Sequence, residues 1–185
     1  WIVPGNHDVD RDIVNRSPTL ETIHKHFKAV IAPEDIHEEL AKYLRHKDDS
    51  KDLFTPLEQF NKCAAAFDSE FSPEKPYWHH TLTLNDGSEL RVVGLNSAIV
   101  SSKSDQEGNL ILGGEQVSHM VRKDNVEYVA LCHHPVEWFR TRDQLQQEFM
   151  RRPRIVLFGH KHMQTVFQIE EAVRITAGAV HPDRR

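Results

Sequence analysis

The chain has 185 residues, enough for one domain with a sizeable core. Its 38% hydrophobic and 28% charged content is that of a globular protein, and no apolar run approaches the ~18 residues of a membrane span. A formal charge of −5 argues against the clustered Lys and Arg needed for a strong non-specific grip on nucleic acid, and two cysteines, Cys63 and Cys132, are too few for a disulfide framework and read as reduced thiols of a cytoplasmic protein.

Ile2 and Val3 read as the end of a strand, broken by Pro4 and Gly5. A helical block follows over 19–67. Ser17-Pro18 places a capping residue before a helix-starting proline. The stretch PEDIHEELAKYLRH carries acids early and bases late, as the helix dipole favours, and PLEQFNKCAAAF has helical apolar spacing. YWHHTLTL, the turn NDGS and ELRVVGLNSAIV then predict a β-hairpin. SSKSDQEGN is a polar loop and GGEQVSHMVRK a short helix. VEYVALC is a buried strand, PVEWFRTRDQLQQEFMRR a helix, and RIVLFGHKH a second buried strand. TVFQIE and AVRITAGAV are late strands. Short apolar strands mixed with helices, several ending in polar clusters, predict an α/β layered domain with its site at strand ends.

Histidine is over-represented, with 13 residues, and three strand ends hold the informative ones. At the first, Pro4 and Gly5 set a tight turn that projects Asn6, His7 and Asp8. Asn6 offers a neutral oxygen ligand, His7 a proton donor, and Asp8 a carboxylate able to hold the His7 ring; an ordinary polar turn has the same composition. At the second, VEYVALC delivers His133, while alternation points His134 the other way and makes it the poorer ligand. At the third, His160 and His162 share one face of an extended segment with Lys161 on the other, although two surface histidines would look the same. Arg11 is within reach of a phosphate but reads more simply as a surface arginine. His79 and His80 read as cross-strand packing, Trp138 and Phe139 as core, and Asp35 and His37 as a solvated helix surface.

Taken in order, Gly-Asn-His-Asp, His-x-Pro after a strand, and Gly-His-x-His resemble the calcineurin-like metallophosphoesterase family, with VPGNHDVDR similar to its bacterial members. RVVGLNSA, LGGEQ and ITAGAV resemble its middle and late regions, so the resemblance covers most of the chain. It implies a four-layer α/β/β/α sandwich over 1–185, lacking its first strands and carrying 19–67 as a helical insertion. It also implies metal-dependent hydrolysis of phosphoesters, as a phosphodiesterase or phosphatase acting on a small phosphoester, nucleotide or cyclic nucleotide. Two divalent ions (Mn, Fe, Zn or Co) would activate a hydroxide. Asn6, His133 and His160 would hold one ion and His162 the other, with His7 beside the scissile phosphate and Asp8 orienting it. The family's Asp-x-His and Gly-Asp-x-x-Asp blocks precede Gly-Asn-His-Asp, and neither stands ahead of it here. The expectation is therefore a part of a longer enzyme, with further domains as partners, that alone holds at most one ion and hydrolyses weakly or not at all. The alternative is a non-catalytic scaffold or interaction module of the same fold.

Overall fold

In the computed structural model, residues 1–169 and 171–178 are described. The chain is α/β. Helices occupy 11–67: α1 (Arg11–Arg16), α2 (Pro18–Lys25), α3 (Ile36–Arg45), α4 (Lys47–Phe54) and α5 (Glu58–Ala64). The Asp10 carboxylate caps α1 by accepting from the Asp12 and Ile13 amides, and the Ser17 hydroxyl caps α2 with Pro18 in its first turn. A π-helical turn, His26–Val30, extends α2, and a 3-10 turn, Pro33–Asp35, leads into α3. Ile36 and Leu40, one turn apart on α3, are fully buried.

Strands β1 (Tyr77–Thr83) and β2 (Glu89–Leu95) form the predicted hairpin in register Tyr77↔Leu95 to Thr83↔Glu89. Gly87, at φ 83°, supplies the left-handed residue of the turn. After β2 come α6 (Glu115–Ser118), β3 (Val126–Cys132), α7 (Arg142–Arg151), β4 (Ile155–Phe158), β5 (Thr165–Ile169) and β6 (Ala172–Thr176). All six strands join one sheet in the order β1-β2-β3-β4-β6-β5. The inner four run parallel, with antiparallel edges β1 and β5. Val93, Ala130 and Val156 are fully buried in the inner strands, as parallel strands covered by helices require. The helices of 11–67 share one core with this sheet: Phe27, Ile36, Leu40 and Leu53 belong to the same buried cluster as Val93, Ala130, Phe149 and Val156.

Three expectations change. Ile2 and Val3 form no strand; the Ile2 amide donates to the Ser69 hydroxyl and its carbonyl accepts from Trp78 Nε1 at 2.9 Å. The helix expected over 135–152 splits into a 3-10 turn, Val136–Trp138, and α7. Between them Phe139 is fully buried and bridges to Leu110 through Leu110 N–H to Trp138 O and Arg140 N–H to Leu110 O. The strand expected through His162 stops at Phe158. Residues 179 and 180 of the predicted last strand lie outside the described residues. Among the described residues no helix is long and apolar enough to cross a membrane.

A buried ion pair ties the helices to the loop after β2. Lys28 Nζ donates to Asp105 Oδ1 at 2.6 Å and to the Ser102 hydroxyl at 2.8 Å, with both charged side chains 8% exposed. Asp105 also accepts from the Ser102 amide and the Ser101 hydroxyl. Asp105→Ala strands a buried ammonium and is expected to cost about 3–5 kcal/mol. Chemical denaturation checks this; a variant as stable as the parent would show the pair to be solvated.

Candidate metal centre

Parallel pairing sets the site. Leu95, Cys132, Phe158 and Thr176 are level across β2, β3, β4 and β6. The residues just beyond that rung therefore gather at the carboxyl ends of the strands, where open α/β sheets bind ligands. There stand Ser97 after β2, His133 and His134 after β3, and Gly159 and His160 after β4.

The His133 ring lies between two glycines. A Cβ on Gly5 would sit 2.6 Å from His133 Cε1, and one on Gly159 would sit 3.1 Å from its Nδ1. The Gly159 amide donates to the His133 carbonyl at 3.0 Å. Both glycines of the strand-end motifs thus make room for one imidazole. Asn6 Oδ1 lies 3.2 Å from His133 Nε2, and His160 Nδ1 lies 3.3 Å from the same nitrogen. One Nε2 hydrogen can satisfy only one of those neighbours. Two donors about 2.1 Å from one tetrahedral ion stand about 3.4 Å apart, so the three atoms suit a shared cation.

His134 is the residue that sequence reasoning missed. Strand alternation turned it away, but β3 ends at Cys132 and the backbone bends before Pro135. Its ring is fully buried, Nδ1 stands 2.9 Å from the Ser97 hydroxyl, and Nε2 has no hydrogen-bond partner. The ligating atoms of His133, His134 and His160 all lie within 4.8 Å of one another. An idle buried nitrogen beside two converging rings fits a ligand to a cation, held in its tautomer by Ser97. The doubled histidine of CHHP was the available signal.

His160 and His162 do not share an extended face. Both are left-handed, at φ 68° and 48°, a conformation that costs a residue with a Cβ about 1–3 kcal/mol and concentrates at functional sites. His160 turns toward His133, and the Trp138 ring meets it in a T-shaped contact with centroids 4.2 Å apart, so Trp138 walls the cluster while Phe139 is core. His162 and His7 are exposed, yet near enough for a charge on either to lower the proton affinity of His133 and His160. Asp8 takes a different partner from the one expected. Its carboxylate accepts from the Gly5 amide at 2.8 Å and its own amide donates to the Gly5 carbonyl, closing the turn rather than holding the His7 ring. Arg11 is exposed, and its guanidinium donates to the Asn6 carbonyl at 3.4 Å. Asp35 is exposed as expected, whereas His37 is half-buried: its Nε2 lies 3.2 Å from Gln144 Oε1, and its ring packs on Gly114. His80 stacks on Trp1. Cys132 is buried, which pushes its thiol up to about 12 and leaves it unreactive.

Burial, reinforced by neighbouring imidazoles, lowers the His133 pKa to about 4 and that of His134 to about 2. Burial, with Lys28 adding, lowers His24 to about 4. Each ring is therefore neutral in the folded state, and folded values lie below the unfolded value of 6.5. The stability they support is complete above pH ~6.5 and is lost as pH falls, by up to about 1.4 kcal/mol per pH unit for each ring. Metal-free protein is expected to lose on the order of 6 kcal/mol between pH 7.5 and 5, about 2 from each ring. A urea midpoint unchanged over that interval would contradict the buried, neutral state of these rings.

Comparison with protein-family models and with curated proteins found no match.

Proposed function

We propose that the chain carries the metal-binding part of a metal-dependent phosphoesterase. The observation that carries this reading is the convergence of Asn6 Oδ1 and His160 Nδ1 on His133 Nε2 at the carboxyl ends of adjacent parallel strands. Asn6, His133 and His160, with His134 close by, would hold one divalent ion, and His162 would contribute to a second. Imidazole and amide donors suit Mn, Fe, Zn or Co. Bound ions would supply Lewis acidity toward a phosphoryl group and a nucleophile at neutral pH. His7, exposed on a turn that Asp8 closes, would donate a proton to the departing oxygen. Arg11 would brace Asn6 through its carbonyl or meet a phosphate oxygen.

The four-layer sandwich remains part of this proposal. A second sheet packed face to face on the first would cover one of Val166 and Phe167, which point to opposite faces of β5 and are about 60% exposed. Among the described residues no carboxylate joins the histidine cluster. The three-histidine group supports a single tight ion. It also favours the second reading, a metal-binding module without catalysis. Hydrolysis of bis-p-nitrophenyl phosphate with Mn²⁺ separates the two. His7→Ala is expected to lower that rate about 100-fold or more. Equal rates would remove His7 from the mechanism, and no hydrolysis by either would leave the scaffold reading.

A further inference from the structure

We infer that the cleft between α2 and the loop 101–109 is a second subsite, which binds the phosphate or carboxylate group of a small molecule of about nucleotide size. The cleft measures about 690 Å³, inside the ~300–1,000 Å³ range of small-molecule sites. It is separate from the histidine cluster but built on the same loop. Ser97 of that connection meets His134, and a few residues later Ser102 and Asp105 hold Lys28, with the Ser101 hydroxyl donating to Asp105.

His24 supplies the observation that points to a ligand. Its side chain lines the cleft, is 5% exposed, and has no hydrogen-bond partner on either ring nitrogen. Two idle nitrogens on a buried ring leave their lost hydration uncompensated. Both nitrogens lie beneath the cleft surface, so a polar group entering the cleft would recover that loss as the ring turns toward it, a neutral imidazole offering one donor and one acceptor. Lys25 from α2 and Lys103 from the loop add one cation from each wall. Both are exposed, and neither joins an ion pair among the described residues. Lys28 is already neutralised by Asp105, and among the described residues Glu21 is the one carboxylate lining the cleft, so a net positive charge is left for an anion. The ligand thus presents an oxyanion to Lys25 and Lys103 and a hydrogen-bonding group to His24. In a phosphoesterase this cleft would receive the part of the substrate beyond the scissile bond. That role rests on the proposed function, whereas the binding itself does not.

The test uses dialysed, metal-free protein and the ring signals of the histidines in NMR spectra. AMP is the probe, with inorganic phosphate and citrate as separate arms that distinguish phosphate from carboxylate recognition. Saturable shifts of the His24 signals are expected with AMP. A Lys25→Ala/Lys103→Ala double variant, altered only at exposed positions, is expected to bind at least about tenfold more weakly. Because the protein is metal-free throughout, failure of the metal centre leaves this result standing. Unmoved His24 signals at millimolar concentrations of all three probes, or a double variant that binds like the parent, would overturn the inference.

Discussion

Replacing His133 with alanine is expected to lower affinity for Mn²⁺, Zn²⁺ or Co²⁺ by at least about 100-fold, since even loss of a residue supporting a ligand costs 10–100-fold. The expectation follows from position. His133 Nε2 is the atom on which Asn6 Oδ1 and His160 Nδ1 both converge, so its removal takes away the shared apex rather than one donor among equals. Calorimetric titration of the metal-free protein checks this. His46→Ala, at an exposed histidine paired with Asp49, controls for the number of imidazoles and should bind as the parent does. Unchanged affinity in His133→Ala would place any bound ion elsewhere.

Gly94→Ala is expected to be the most damaging small substitution in the sheet, costing about 3 kcal/mol or more. Gly94 lies directly across from Trp78 in the hairpin, and an added Cβ would fall 2.0–2.4 Å from the indole ring. The ring has nowhere to go: Trp78 is 1% exposed, and its Nε1 donates to the Ile2 carbonyl. That hydrogen bond fixes the segment leading into Pro4–Asp8, so the damage should extend to metal affinity. Gly87→Ala provides the contrast. Nothing lies within 4 Å of its added Cβ, and only the left-handed φ penalises it, by about 1 kcal/mol. Guanidinium midpoints for the two variants measure the difference. Equal midpoints would mean that the Trp78–Gly94 packing does not hold the hairpin.

The elements with strong periodicity or punctuation were legible from the sequence. These include the capped start of α2 at Ser17-Pro18, the hairpin around its Asn-Asp-Gly-Ser turn, and the apolar strands ending near Cys132 and Phe158. The strand-end clusters were legible as well, because glycine beside histidine marks a close approach that only a missing Cβ allows. Gly5 and Gly159 both meet the His133 ring. What failed was the extrapolation of strand geometry past the strand. Alternation predicted His134 turned away and His160 beside His162. The backbone instead bends after Cys132 and turns left-handed after Phe158, where the ladder has ended and local sequence no longer dictates side-chain direction. Two further features depended on partners distant in sequence, which no local pattern reveals. These are the Ile2–Trp78 hydrogen bond and the buried Lys28–Asp105 pair.

The most direct test of the metal centre is an anomalous difference map from crystals of this chain soaked in Zn²⁺ or Mn²⁺. The predicted result is one strong peak within about 2.0–2.2 Å of His133 Nε2, shared with His160 Nδ1 and Asn6 Oδ1. A peak confined to exposed histidines, or none near His133 at saturating metal, would contradict the account.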